Sequence, residues 1–253
     1  MKIIVRKDAL QNKAMDLVSV VIPTYNRFQY VLDTIKSVKE QTYTAIEIIV
    51  VNDCSTQEEY YTYDFESQNV QIIHLKENTR KIYPYPCAGH VRNEGIKNAK
   101  GKYVAFCDDD DIWYPEKLEK QIAAMKKFYT KMSCTDGHIG NGRYNLSHTY
   151  KLYLQEFYYN HIKRIYEKAY SNFLKNGFPF IFDLNSINIH NSIICSSVVV
   201  EKELLDSVDR MPLLRNGEED IGCWKRLLKH TGCYFVSDPC FYYDNAHGDG
   251  RAY

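Results

Sequence analysis

Residues 102–113 read KYVAFCDDDDIW, an apolar run that leads directly into four consecutive aspartates. The apolar part has the composition of a buried β-strand, and the carboxylates follow at its carboxyl end. Two unit charges about 4 Å apart repel each other by roughly 1 kcal/mol in water, and by several times more where solvent is partly excluded. The run therefore predicts either a solvated acidic turn that caps the next helix or a site that binds a cation.

The segments around this strand alternate between strand-like and helix-like patterns. Apolar, β-branched runs at 17–23, 46–51 and 70–75 have the composition of buried parallel strands, and amphipathic segments separate them. This alternation predicts an α/β fold with a mostly parallel, doubly wound, Rossmann-like sheet over residues 17–130.

The second half of the chain, residues 131–253, does not keep this alternation. Its stretch 149–176 is rich in tyrosine and has a helical pattern, which predicts a helical, aromatic insertion. Packing of this insertion onto the sheet and stacking of its rings on a ligand are both compatible with the pattern. Because the chain has no internal repeat and no low-complexity linker, we expect a single domain over residues 1–253.

Polar residues follow each of the first four predicted strands. They are Thr24 to Asn26, Asn52 and Asp53, His74, and Asp108 to Asp111. In open α/β sheets ligands bind outside the carboxyl ends of the strands, so we expect these residues to line one cleft. Carboxylate oxygens suit Mg²⁺ or Mn²⁺, which typically binds one or two of them together with phosphate oxygens and water. The sharper hypothesis is therefore a cation that holds a diphosphate; no GxxxxGK[ST] loop is present.

The composition argues against several classes of protein. Lys plus Arg equals Asp plus Glu at 32 each, which gives no field that would attract nucleic acid. No apolar stretch is long enough to cross a bilayer, and residues 1–16 lack the apolar core of a signal peptide. The eight cysteines form no Cys-x-x-Cys pair, which favours reduced, buried thiols. We expect a cytoplasmic protein without a transmembrane segment.

Four motifs together resemble a known family. They are VSVVIPTYNR at 18–27, EIIVVNDCST at 47–56, GHVRNEGIKNAKGKYVAFCDDDDIWYPEKLEKQ at 89–121 and EEDIGCWKRL at 218–227. In this order and spacing they resemble the inverting nucleotide-sugar glycosyltransferases of family 2, which have the GT-A fold. The resemblance implies a donor-binding half over 17–130 and an acceptor-binding half over 131–253, while residues 135–190 match no motif.

The resemblance also assigns residues to the donor and to a metal ion. Asp110 matches the residue that contacts Mn²⁺ or Mg²⁺, and His247 matches a histidine near the metal; an exposed tail histidine is the alternative. The family's Asp-x-Asp pattern has a variable middle position, which in this chain is Asp109. Asp53 would accept a hydrogen bond from the nucleobase. The residues assigned to the donor are Pro23, Thr24, Tyr25, Asn26, Asp53, Arg92, Asp108 and Asp109.

The last motif is implied to carry the catalytic base, Asp220. A helix N-terminus would lower the pKa of this carboxyl group, whereas burial or the neighbouring Glu219 would raise it. Simple helix capping is the alternative for residues 218–220. Three further residues are assigned to the acceptor side: Glu219, Trp224 and His190. Trp224 is expected to belong to the core as well, and a loop histidine with satisfied hydrogen bonds is the alternative for His190.

The implied function is metal-dependent, inverting transfer of one sugar from a nucleoside-diphosphate sugar to a hydroxyl group of a glycan, a lipid-linked acceptor or a protein. UDP is the expected nucleotide, with dTDP and GDP as alternatives. The Gln-x-x-Arg-Trp motif of processive synthases is missing, which argues for a single transfer. Two other functions stay open: an inactive nucleotide-sugar-binding module and a sugar nucleotidyltransferase.

Overall fold

The computed structural model describes residues 15–247, and within this range the strands form one ten-stranded sheet. The order along the sheet is β3-β2-β1-β4-β9-β6-β10-β5, with β7 beside β6 and β8 beside β10. The strands are β1 (Val18–Thr24), β2 (Ile46–Asn52), β3 (Val70–His74), β4 (Tyr103–Phe106), β5 (Ile112–Trp113), β6 (Met132–Gly140), β7 (Lys151–Leu152), β8 (Ile181–Phe182), β9 (Val199–Glu201) and β10 (Cys233–Asp244).

Helices cover both faces of this sheet. They are α1 (Phe28–Lys39), α2 (Glu59–Thr62), α3 (Thr79–Ile82), α4 (Ala88–Asn98), α5 (Lys117–Phe128), α6 (Tyr159–Lys168), α7 (Leu184–Ile189), α8 (Lys202–Ser207) and α9 (Glu219–Leu227). A π-helix spans Tyr153–Phe157, and short 3₁₀-helices span Cys195–Ser197 and Asn245–His247. The apolar faces of α1 and α5 pack into one core, and those of α4, α6 and α9 pack into the other.

The first half of the sheet is parallel. β1 pairs with β2 and β4, and β2 pairs with β3, all in parallel register. Thr24 lies opposite Asn52, and Asn52 lies opposite His74, so these strands end at one edge. The predicted doubly wound α/β fold with a mostly parallel sheet is therefore confirmed.

The second half interrupts the parallel order. β9 runs antiparallel to both of its neighbours, β4 and β6, whereas the long β10 runs parallel to β6. Within the apolar run 193–200, strand β9 begins only at Val199, because Cys195–Ser197 forms a 3₁₀-helix that contacts the acidic run. Ser196 Oγ there accepts a hydrogen bond from Asp108 N at 2.9 Å.

Two expectations from composition can be compared with this structure. All eight cysteines are free thiols, and all but Cys54 are buried, as predicted. None of the helices in residues 15–247 combines the length and the apolar character needed to cross a bilayer.

Candidate active site

A cavity of about 270 Å³ lies at the carboxyl end of β4. The acidic run, the first turn of α9 and the segment 190–195 contribute to its walls. Arg92 on α4 lies between the acidic run and the first turn of α9, and it forms an ion pair with each of them. The cavity therefore joins two motifs that lie more than 100 residues apart in the sequence.

The four aspartates of the acidic run have different surroundings. Asp108 and Asp110 line the cavity, with 30% and 9% of their side chains exposed. Asp111 points away from the cavity and accepts a hydrogen bond from Asp244 N at 3.0 Å. Thr34 Oγ1 donates to the backbone carbonyls of Asp109 and Asp111, both at 2.9 Å, which fixes the turn.

Arg27 supplies positive charge to this run. Its Nη1 lies 3.1 Å from Asp109 Oδ1 and 2.8 Å from Asp110 Oδ2. Thr24 Oγ1 donates to the other oxygen of Asp109 at 2.7 Å. Asp109, the residue at the variable position, thus has both oxygens bound within the chain, and its predicted contact with the donor stays a prediction. Sequence reasoning missed Arg27, whose only signal is its place at the end of the PTYNR motif.

Two of the predicted donor residues, Pro23 and Thr24, lie at the carboxyl end of β1. Both are buried, and Thr24 Oγ1 lies between Tyr60 Oη and Asp109 at 2.5 and 2.7 Å. Their predicted contact with the donor stays a prediction. Tyr25 and Asn26 follow at the half-buried strand end.

Asn26 and Asp53 hold neighbouring loops in place. Asn26 Oδ1 accepts a hydrogen bond from Thr56 N at 2.7 Å. Asp53 is almost completely buried, and its oxygens accept bonds from Asn78 Nδ2 and from the backbone and hydroxyl groups of Thr79 at 2.7–3.1 Å. Burial raises the pKa of the Asp53 carboxyl group. A nucleobase would have to share these oxygens, so the contact of Asp53 with the base stays a prediction.

Arg92 lines the cavity and bridges its two acidic walls. Its Nη2 lies 2.7 Å from Asp108 Oδ1, and its Nη1 lies 2.8 Å from Glu219 Oε1. Glu219 Oε2 is buried and has no hydrogen-bond partner in the described part of the chain. Glu219 is therefore held by Arg92 at the cavity wall, and its predicted acceptor contact stays a prediction.

Asp220 follows at the start of α9 and is a half-buried residue of the cavity wall. Burial, together with the negative charge of Glu219, raises the pKa of Asp220 to about 7, although the bond from Ile221 N opposes this rise. Burial and the charge of Glu219 thus outweigh the hydrogen bond from Ile221 N at the start of the helix. A carboxylate that titrates near neutral pH is suited to general-base chemistry.

The remaining predicted residues have different outcomes. Trp224 is completely buried on α9 and packs against Phe106 at a centroid distance of 5.9 Å, as expected of a core residue. Its predicted contact with the acceptor stays a prediction. His190 lines the cavity, and burial lowers the pKa of its imidazole. The backbone of His247 ends the last 3₁₀-helix, whereas its side chain lies outside the part of the chain that is described.

The chemistry of the donor set bears on the predicted metal. Within residues 15–247 no three His, Cys, Asp or Glu side chains are grouped as a ready-made metal site. Six acidic side chains line the cavity, among them Asp108 and Asp110. One or two such carboxylates, together with a phosphate and water, suit Mg²⁺ or Mn²⁺. Burial and the charge of Asp109 raise the pKa of Asp110 well above its usual range. An added cation would relieve this repulsion, so the residues present fit a divalent metal.

A parallel sheet that ends in carboxylates at its switch point, with a further carboxylate supplied by a later helix, defines an α/β protein with an acidic ligand site in the usual position. Residues 19–194 match the family model described as Glycosyl transferase family 2. The chain belongs to glycosyl transferase family 2 and is an enzyme of the glycosyltransferase class.

Two curated relatives illustrate this membership. The chain is 30% identical over 228 residues to TuaG of Bacillus subtilis, a glycosyltransferase whose name refers to teichuronic acid biosynthesis; the match covers 88% of this chain and 77% of TuaG. It is 40% identical over 114 residues to WfaP of Escherichia coli, named a UDP-Glc:alpha-D-GlcNAc-diphosphoundecaprenol beta-1,3-glucosyltransferase, covering 44% of this chain and 42% of WfaP.

Solved structures show the same fold. Residues 1–349 of S. aureus TarS in complex with UDP-GlcNAc superpose with a TM-score of 0.67 at 22% identity, covering 94% of this chain and 61% of that one. A second crystal structure of TarS residues 1–349 gives a TM-score of 0.66 at 21% identity, covering 90% of this chain and 60% of that one. At this level of identity the likeness shows the fold alone, and it confirms the predicted GT-A fold.

Proposed function

We propose that the chain transfers a single sugar from a UDP-sugar to a hydroxyl group of an acceptor, with inversion at the anomeric carbon and with help from a divalent cation. The observation that carries this proposal is the place of Asp220. Its carboxyl group, with a pKa of about 7, lines the same cavity as Asp108 and Asp110. A base and a diphosphate-binding acidic pair thus meet in one small space.

The reaction is a direct displacement. Asp220 takes the proton of the acceptor hydroxyl group while that oxygen forms a bond to the anomeric carbon. The bond from the anomeric carbon to the diphosphate oxygen breaks, and its electron pair leaves with UDP. One displacement inverts the configuration and requires no covalent intermediate with the protein.

Asp108 and Asp110 would hold the divalent cation. When bound, the cation supplies positive charge that stabilises the departing diphosphate. Arg27 and Arg92 keep the acidic wall in shape through their ion pairs with Asp110 and Asp108. The cavity is smaller than most pockets that bind complete drug-sized ligands, and a volume of about 270 Å³ suits the reacting groups rather than a whole nucleotide sugar.

The choice of substrates rests on relatives. The names of WfaP and of the TarS complex include UDP-Glc and UDP-GlcNAc, which supports a UDP-sugar donor. The name of WfaP also includes a lipid-linked sugar, so a lipid-linked glycan is one acceptor class to test. Transfer in the cytoplasm is consistent with eight free cysteines, which are typical of a reducing compartment.

The experiment measures UDP release from UDP-GlcNAc, UDP-Glc and UDP-Gal with Mn²⁺, and again with the metal chelated. Asp220→Asn should lower the rate at least about a hundredfold, a typical loss when a general base is removed. Glu218→Gln is the matched control, because Glu218 is an exposed acid two positions before Asp220. Equal rates for wild type and Asp220→Asn would disprove the assignment of the base, and binding of UDP without any turnover would favour a binding module.

A further inference from the structure

A row of four ring side chains lines the same cavity as the acidic residues. The rings belong to Tyr243, Tyr153, Tyr158 and His190. Successive ring centroids are 5.6, 5.5 and 6.3 Å apart. The planes of Tyr153 and Tyr158 differ by 18°, and those of Tyr158 and His190 by 14°, so that these three rings stack in sequence.

One end of this row lies beside the acidic run. Burial raises the pKa of Tyr243, and the negative charges of Asp111, Asp108 and Asp110 add to this rise. The other end is formed by His190, in the segment that follows α7. The row therefore leads from the predicted diphosphate site along the wall that the second half of the chain provides.

Buried polar contacts hold Tyr153 and Tyr158 in place. Asp136 on β6 is completely buried and accepts hydrogen bonds from Leu154 N at 2.9 Å and Gln155 N at 3.2 Å. These bonds cap the π-helix, in which Tyr158 N donates to Tyr153 O at 2.8 Å. A π-helix is a rare element that often occurs at functional sites, and here it presents both tyrosines on one wall.

The third ring is fixed separately. Tyr166 Oη donates to Ser186 O at 3.0 Å and lies 3.4 Å from His190 O. Burial lowers the pKa of His190, so its imidazole is neutral at pH 7 and can both donate and accept a hydrogen bond. The row thus combines flat apolar faces with polar groups at the ring edges.

We propose that Tyr153, Tyr158 and His190 form the acceptor subsite, and that the acceptor is an uncharged glycan with at least two sugar rings. This inference rests on the proposed function. A pyranose ring has an apolar face and a rim of hydroxyl groups, which complements an aromatic ring with a polar edge. The six acidic side chains that line the cavity, against two arginines, would repel an anionic acceptor.

The donor sugar is the other conceivable occupant of this wall. The parallel strands β1 to β4 carry the residues assigned to the nucleotide, whereas the stacked rings come from the segment 153–190. The row therefore belongs to the second half of the chain, and it lines the same cavity as Asp220.

Binding of sugars to the full chain, with UDP and Mn²⁺ present, tests the subsite. The probes are cellobiose and N,N′-diacetylchitobiose, with glycerol 1-phosphate as an acyclic anion, and saturation-transfer NMR measures their affinity. At least one disaccharide should bind more tightly than glycerol 1-phosphate. Tyr158→Leu should weaken this binding about three- to tenfold, as expected for the loss of a stacked ring, whereas Tyr158→Phe should retain it.

Two controls make the test specific. Phe157→Leu removes the neighbouring exposed ring, which does not line the cavity, and should leave disaccharide binding unchanged. UDP affinity, measured by calorimetry, should be the same in all variants. If Tyr158→Leu fails to fold, His190→Ala is used in its place with the same expectation.

The subsite is disproved if wild type binds neither disaccharide, if Phe157→Leu weakens binding as much as Tyr158→Leu, or if the loss falls on UDP affinity instead. Failure of the proposed function has a different signature: UDP does not bind, or no UDP-sugar is turned over. The two failures are therefore distinguishable.

Discussion

Arg92 and Glu219 form an ion pair of 2.8 Å whose side chains are only 6% and 4% exposed. Because the same guanidinium also binds Asp108, it connects the acidic run to the first turn of α9. Glu219 in turn stands next to Asp220 and raises its pKa. The position and the charge of the proposed base thus depend on a residue of the donor half.

The first prediction concerns Glu219→Gln. The substitution removes a negative charge that raises the pKa of Asp220, while the new amide oxygen can still accept a bond from Arg92. Since the pKa of Asp220 should fall, the pH at which UDP formation is half-maximal should move down by about one unit. A pH series between 5 and 9 measures this midpoint. Glu218→Gln should leave it where it is, and an unchanged or higher midpoint in Glu219→Gln would contradict the coupling.

The second prediction concerns Arg27→Gln. Loss of this guanidinium leaves Asp109 and Asp110 without the ion pairs that it provides, and breaking a buried pair costs about 3–5 kcal/mol. We expect a lower midpoint of thermal unfolding without metal, and a larger rise on addition of Mn²⁺ than in wild type, because the cation replaces the missing charge.

The control for Arg27 is Arg143→Gln. Arg143 also pairs with an aspartate, Asp33, but on the surface, where an ion pair contributes at most about 1 kcal/mol. Its thermal midpoint and its response to Mn²⁺ should match those of wild type. An identical response to Mn²⁺ in Arg27→Gln and wild type would show that Arg27 and the cation do not share the acidic run.

The third prediction uses Lys117, whose side chain is completely buried on α5. Its Nζ lies 2.6 Å from Gln121 Oε1 and 4.1 Å from the centroid of the Trp113 ring. Burial lowers the pKa of Lys117 to about 8, against about 10.5 in the unfolded chain. Between these values the folded state binds fewer protons than the unfolded state, so the free energy of unfolding increases with pH.

Lys117→Met should lack this increase. Relative to the variant, wild type should gain about 2 kcal/mol of stability between pH 7.5 and 10, measured by urea unfolding. Lys39→Met is the matched control, because Lys39 also binds a glutamine side chain, Gln68, but at the surface. Parallel stability curves for wild type and Lys117→Met would refute the lowered pKa.

The strands of the donor half could be predicted from the sequence almost to the residue. The predicted segments 17–23, 46–51 and 70–75 correspond to β1 (Val18–Thr24), β2 (Ile46–Asn52) and β3 (Val70–His74). A parallel strand buried on both faces is a continuous apolar run, and such a run is a strong local signal. The order of β9, β6 and β10 has no such signal, because it depends on pairing between distant segments.

The site could be predicted in its outline but not in its contacts. The order of the motifs predicted that Asp220 and the acidic run share one site, and both line the same cavity. Arg27 was missed because a long side chain can reach across several loops, and its partners Asp109 and Asp110 lie more than 80 residues away.

The central claim is that Asp220 is the catalytic base, and the pH dependence of the reaction rate tests this claim most directly. The measurement is the rate of UDP formation from a saturating UDP-sugar between pH 5 and 9, for wild type and Asp220→Asn. Because Asp220 must be deprotonated to accept a proton, the wild-type rate should rise with pH through about 7 and then level off. Asp220→Asn should be slower throughout and should lack this rise; a wild-type rate without a transition near pH 7, or the same rise in Asp220→Asn, would contradict the account.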